Sequence, residues 1–282
     1  MPRFGMVTFC TEYSMQPAEL ARAIEDRGLD AFYATEHTHI PISKKSKYPG
    51  GTDYPKDFSY VYDPIVTLTA AACATQRIRL GTFVTLIAQR DPIIAAKQFA
   101  TLDRLSGGRL VVGCGAGWNA EEMGDHGVPF KKRWTAVREH VTAMKRLWTE
   151  EVAEFHGDLV DFEPSWMYPK PLQAGGPAVL IGSRSDKVFR RIAQYADGWC
   201  PLLRPGYDAA RGLEMLRQAA AEAGRRFEDI HLIALLPAAT VDSVKQAADL
   251  GFQEICSVVP SAERDRALPV IDGFAELAEK LR

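Results

Sequence analysis

Short apolar runs alternate along the chain with segments whose apolar positions recur every three or four residues. The runs are 3–9, 29–36, 78–86, 109–117, 177–183, 197–203, 230–238 and 252–259. They are near-continuous apolar stretches, as expected of parallel strands buried on both faces. The segments between them predict helices. In 17–28, Leu20, Ala21 and Ile24 share one face and Gly28 ends the helix. Segments 63–76 and 91–108 both open with Asp-Pro, which sets Asp63 as N-cap and Pro64 at the first helical position. "LSGGR" (105–109) reads as the stop of the second of these. Further helices are predicted near 131–149, over 185–196 and 242–251, at about 206–224, and at the C-terminal end. "EFHGDLVDFEPSWMYPKP" (154–171) alternates around a His-Gly turn and predicts a small surface hairpin, inserted between the fourth and fifth strands. Eight strands, each followed by a helix, point to a closed (β/α)8 TIM barrel rather than an open doubly wound sheet. No Pro/Gly/Ser linker divides the chain, so a single domain over 1–282 is expected.

Barrels of this kind carry their sites on the loops at the C-terminal strand ends. The second run ends in "YATEHTHIP" (33–41), which brings Glu36, His37 and His39 to that rim. Glu36 is expected to turn back toward the interior and pair with a buried base or donor, because strand side chains alternate. A His37-x-His39 pair also occurs in metal-dependent barrel hydrolases, which need further ligands at other strand ends. Here the fifth strand ends in Gly182-Ser183, the sixth in Cys200-Pro201, and His231 falls at a strand start on the opposite rim. No metal is therefore expected. "GCGAGW" (113–118) has G-x-G-x-G spacing, not the G-x-G-x-x-G of a dinucleotide-binding turn. Its glycines suit either close approach of a flat or bulky group, or tight packing at the barrel mouth. "IGSRSDK" (181–187) joins the fifth strand to a helix start, where free N–H groups, the helix dipole and Arg184 would hold an anion. The plainer reading makes Ser185 an N-cap and leaves Arg184 in solvent. The loop 39–62 is long and rich in Lys, Pro, Gly and Tyr, which suits a lid over the substrate side.

Composition narrows the function classes. Hydrophobic residues make up 46% and charged residues 25% of 282, with a formal net charge of −2 and a pI near 6.3. Neither nucleic acid nor an anionic membrane is an expected partner. No apolar run reaches about 18 residues, and "MPRFGMVTF" reads as a strand and not a signal peptide. The five cysteines are isolated, lack a C-x-x-C and sit in apolar contexts. They are expected to be buried free thiols in a reducing cytoplasm. "KKSK" (44–47) and "KKR" (131–133) read as solvated charge.

"TEH" at the second strand end, "RLGTFVTL" in the third and "RDPIIAAKQFATLDRLSGGRLVVGCGAGWNAEEM" through the fourth carry a wider resemblance, as does "IGSRSDKVFRRIAQYADGW". Over nearly its whole length the chain resembles the bacterial luciferase-like flavin and deazaflavin oxidoreductases. "TEHTHIP", "KYPGG" and "GDHGVPFKKRW" resemble most the actinobacterial branch that uses coenzyme F420. The resemblance implies hydride transfer between F420 and an organic substrate, with FMN-dependent monooxygenation using O2 as the alternative. A non-catalytic flavin-binding protein on the same barrel is a third reading. It places the cofactor ring against Thr82, Phe83 and Val84 and against Gly115, Ala116 and Gly117. The phosphate falls at Gly182, Ser183, Arg184 and Ser185, and His37 lies near the hydride-carrying carbon as the proton-transfer group. A cis peptide is implied at Phe83–Val84, and relatives are usually homodimers. A sugar-phosphate-oxidising branch has a carboxylate where this chain has Trp118. Trp118 together with Tyr48, Tyr54, Phe58 and Tyr60 suggests a more apolar or aromatic substrate. The basic "KKSK" would meet an acidic cofactor tail.

Overall fold

Eight parallel strands close into a barrel in the computed structural model, which describes residues 1–51 and 53–282. Thr52, within the loop 39–62, lies outside the described residues. In chain order the elements begin β1 (Arg3–Thr8), α1 (Pro17–Asp26), β2 (Ala31–Ala34), α2 (Asp57–Tyr60), α3 (Pro64–Ala74) and β3 (Arg79–Thr85). Then come α4 (Pro92–Leu105), β4 (Leu110–Cys114), α5 (Ala120–Asp125) and α6 (Arg133–Thr149). The hairpin strands β5 (Ala153–His156) and β6 (Asp161–Ser165) precede β7 (Ala178–Ile181), α7 (Val188–Tyr195) and β8 (Gly198–Trp199). The chain finishes with α8 (Ala209–Glu222), β9 (His231–Leu236), α9 (Val241–Asp249), β10 (Glu254–Val258) and α10 (Arg264–Lys280). The barrel order is β1-β10-β9-β8-β7-β4-β3-β2, closed by pairing of β1 with β2. This is the expected (β/α)8 architecture.

The Asp-Pro openings act as the sequence indicates. Asp63 accepts from the amides of Ile65 and Val66 at 2.8 and 3.0 Å, and Asp91 from that of Ile94 at 2.8 Å. Each cap satisfies helix N–H groups that would otherwise lack partners, worth about 0.5–2 kcal/mol. Inside the barrel, Val7, Tyr33, Phe83, Leu180, Ile233 and Cys256 pack together. A larger apolar shell that includes Phe32, Leu80 and Phe99 lies between the strands and the helices. Gly81 makes room for Tyr33, since a Cβ there would sit 2.6 Å from its ring. The Tyr33 hydroxyl donates to buried Glu254 at 2.5 Å, and Arg3 and Arg79 pair with the same carboxylate at the N-terminal rim. The other rim is left for the site.

Four features depart from expectation. The sixth strand is two residues long, not seven, because Pro201 has no N–H to donate; its pairing resumes only as a bridge from Leu202 to Leu235. The helix after β7 begins at Val188, so Ser185 is not its N-cap. Two short helices, α2 and α5, lie within loops and are too brief to show a period. Cys73 is exposed, whereas the other four cysteines are buried. It lies on α3, a helix so apolar all round that its sequence does not mark which face meets solvent. Among the described residues, no helix is long and apolar enough to cross a membrane.

Candidate active site

Glu36 anchors the mouth. It is 4% exposed, and its carboxylate accepts from the Thr85 hydroxyl, the Leu86 amide at 2.7 Å, and Arg90 Nε and Nη2 at 2.8 and 2.5 Å. Arg90 Nη2 also reaches Asp63 at 2.6 Å. The expected buried base is therefore Arg90, and the network ties the ends of β2 and β3 to the start of α3. Burial pushes the Asp63 carboxyl up, but the charge and hydrogen bond of Arg90 and two backbone amides outweigh it and hold it below the usual range.

His37 stands beside this anchor, 8% exposed. Its Nδ1 lies 2.8 Å from Glu122 Oε2 on α5. A carboxylate only accepts, so Nδ1 carries the hydrogen, and among the described residues Nε2 has no hydrogen-bond partner. Glu122 also accepts from the Thr38 amide at 2.9 Å and the Thr38 hydroxyl at 3.3 Å. Asn119 sets the helix in place by accepting from the amides of Glu121 and Glu122, both at 3.1 Å. The His37 ring packs on Phe58 at 4.6 Å and edge-on to Trp118 at 5.7 Å. His39 turns outward to Asp125 at 3.0 Å. Burial pushes the Glu122 carboxyl up, but the hydrogen bond and charge of His37 and the two Thr38 donors hold it below its ordinary value of 4.5. A carboxyl depressed in the folded chain stabilises above its unfolded pKa and loses that contribution as pH falls through the folded one. Glu122→Gln should therefore lower the thermal midpoint at neutral pH. The two midpoints should converge as the pH drops below 4.5, as read by calorimetry.

The ring-sized part of the mouth is a cavity of about 540 Å³, continuous in its walls with an inner chamber of about 380 Å³. Both volumes fall within the usual range for ligand pockets. Phe83 and Val84 line both, and the peptide between them is cis. A register shift between β3 and β4 spans the same residues. Gly115, Ala116, Gly117 and Trp118 line the outer cavity, as do Gly182, Ser183, Arg184 and Ser185. The glycines have a specific reason. A Cβ on Gly115 would meet Val84 at 2.8 Å, and one on Gly182 would meet it at 2.6 Å. Val84 is thus seated in the notch between two glycines, so tight packing accounts for part of what the sequence left open. Thr82 is fully buried, donates its hydroxyl to the Gly113 carbonyl at 2.7 Å and does not line either cavity.

The loop 39–62 folds over His37. Tyr48 and Phe58 line both cavities, and Tyr54 packs on Trp118 at 5.1 Å. Ser46 fastens the loop to α5. Its amide donates to Glu121 at 2.9 Å, its hydroxyl donates to the same carboxylate, and it accepts from the Ala120 amide at 2.9 Å. Tyr60 lies apart, 41% exposed against Tyr13, and does not line the cavities. The lysines of "KKSK" are exposed and likewise stay outside the lining. The cations that do line the mouth are Arg133, Arg184 and Arg204. Sequence reading missed Glu122, Arg133 and Arg204. Asn119 followed by two glutamates was the available sign of the first, as a helix N-terminus. His231 opens β9 at the opposite rim, beside Arg79 and Asp197 in a separate cavity of about 360 Å³.

Residues 14–278 match the family model of the luciferase-like monooxygenases. The chain belongs to that family. A Mycobacterium tuberculosis protein named only as uncharacterized is 40% identical over 276 residues, spanning 96% of this chain and 97% of its own. The monooxygenase RslO1 from Streptomyces bottropensis is similar in structure, with a TM-score of 0.79 at 22% identity over 99% of each chain. An F420-dependent secondary alcohol dehydrogenase in complex with an F420-acetone adduct also gives 0.79, at 18% identity over the whole of both chains. At such identities the likeness is one of fold. This luciferase-like chain is an oxidoreductase by family, and its barrel is shared by a monooxygenase and a deazaflavin enzyme.

Proposed function

We propose that the chain transfers a hydride between coenzyme F420 and an apolar or aromatic organic substrate, with His37 moving the accompanying proton. One observation carries this reading. Among the described residues, His37 is the one histidine lining the mouth, and Glu122 leaves its Nε2 unpartnered within an aromatic wall. The residues present fit a flat cofactor with a phosphate. Phe83, Val84 and the Gly115–Gly117 segment offer an apolar bed, and Ser183, Arg184 and Ser185 offer donors beyond β7. When bound, the cofactor supplies the hydride chemistry. The chain's part is to place and hold protons and to exclude water. Reduction of a carbonyl takes one hydride and one proton; His37 Nε2–H gives the proton to the oxygen, and in the reverse direction Nε2 accepts it. Glu122 keeps the ring oriented through Nδ1, as the orienting group behind a catalytic base does. Tyr48, Phe58 and Trp118 surround the group with apolar surface, which strengthens these interactions by lowering the local dielectric.

A second reading, FMN-dependent monooxygenation, is favoured by the structural likeness to RslO1. Titration of the protein with F420 and with FMN, followed by absorbance, separates the two together with oxygen consumption. The F420 reading expects tighter F420 binding and no rapid uptake of oxygen with reduced FMN. Tight FMN binding with substrate-dependent oxygen uptake would replace it by the second. Arg184→Ala should weaken the binding of either cofactor through the phosphate, by about 1.5–3 kcal/mol and so tenfold or more in Kd. An unchanged Kd would leave Arg184 in solvent.

A further inference from the structure

The mouth holds more positive charge than a single phosphate uses. Arg133, Arg184 and Arg204 line one cavity. Among the described residues, none of the three forms an ion pair. Arg133 spends one N–H on the Phe130 carbonyl at 2.8 Å and lies over the Phe130 ring. Arg184 lies over the Tyr207 ring at 5.6 Å. The side chain of Arg204 makes no hydrogen bond among the described residues. Two other arginines near the site are neutralised: Arg90 has Glu36 and Asp63, and Arg211 has Asp186. Among the described residues the one carboxylate lining the same cavity, Glu36, is already taken by Arg90. Unpaired guanidiniums gathered round one half-enclosed space repel one another and raise the local concentration of anions. Even a terminal phosphate brings at most about −2 charges, fewer than the three facing it.

Their placement divides the work. Arg184 belongs to the loop after β7, beside Ser183 and Ser185, the natural phosphate donors. Arg204 lies after β8 and lines three spaces: the inner chamber, the mouth, and an outer groove of about 490 Å³ running past Tyr207 to Gln246. Arg133 starts α6, next to Trp134, on which Arg191 stacks at 4.2 Å. Arg204 therefore stands where the mouth opens into the groove, and Arg133 stands on the wall of the same mouth.

We infer that Arg133 and Arg204 form a carboxylate-binding exit that grips an acidic extension beyond the cofactor's phosphate. This rests on the cofactor reading above and deepens it, because FMN ends at its phosphate while F420 continues into an oligoglutamate tail. Guanidinium groups suit the task because their planar donors match carboxylate geometry and stay charged at any working pH.

The test is equilibrium binding to the full-length chain, read by fluorescence or absorbance. Three probes are used: F420 with its oligoglutamate tail, the same deazaflavin cut after its 5′-phosphate, and FMN. Arg133→Ala and Arg204→Ala should each weaken tailed F420 about tenfold, and the double variant more. Binding of the truncated deazaflavin should change less than twofold, and raised salt should lower the advantage of the tail. Equal losses for tailed and truncated forms would overturn the inference by making both arginines phosphate clamps. Unchanged affinity for both forms would overturn it too. If the unaltered chain binds none of the three probes, the cofactor reading itself fails. If it binds the truncated deazaflavin as tightly as F420, only the exit fails.

Discussion

Replacing His37 with alanine is expected to slow turnover by about 10²–10⁴-fold, the range for loss of a positioned proton-transfer group. Cofactor affinity should change much less, because the ring bed and the phosphate donors come from other strand ends. His39→Ala is the matched control. It shares the "HTH" stretch but turns to Asp125 at the surface, so it should leave both quantities near their starting values. Steady-state kinetics of the two variants, with cofactor Kd measured in parallel, check this. Full turnover in His37→Ala would make His37 a packing residue beside Phe58 and Trp118.

Arg90→Ala should be the most destabilising of the single changes considered. It leaves Glu36, 4% exposed, without the cation that holds it and frees one partner of Asp63. Breaking a buried pair on one side typically costs about 3–5 kcal/mol, since the stranded charge keeps its desolvation penalty. Denaturant unfolding should show that loss in its midpoint. The double variant Glu36→Leu/Arg90→Met should recover a large part, because it strands no buried charge: Asp63, which also loses Arg90, is half-exposed and keeps its two helix amides. A loss below about 1 kcal/mol for Arg90→Ala would mean that water reaches Glu36 as freely as a surface carboxylate.

Much of the barrel was legible because its signals are local. The Asp63-Pro64 and Asp91-Pro92 openings and the Gly28 stop act within one turn of chain, and the apolar runs mark strands buried on both faces. β8 was overestimated because Leu202 and Leu203 look like strand while Pro201 denies the ladder a donor. At the site, position along the chain was enough to bring Glu36, His37 and Gly182 to the strand-end rim, while Val84 came from the family resemblance. It was not enough for their partners. Arg90, Glu122, Arg133 and Arg204 sit among ordinary charged residues, and only the fold decides which cations face inward. "KKSK" and "KKR" illustrate the limit. Both read as solvated charge, yet the lysines of the first remain outside the cavity while Arg133 of the second lines it. Tyr48 and Tyr60 diverge for the same reason, one over the mouth and the other on Tyr13.

The most direct measurement is a crystal structure of the chain with F420 bound. The account predicts the deazaflavin ring lying against Val84 and the Gly115–Gly117 segment, its hydride-carrying carbon toward His37 Nε2 and its phosphate at Ser183–Ser185. A ring bound in the opposite-rim cavity beside His231, or one in the mouth with its hydride-carrying carbon turned away from His37, would contradict it.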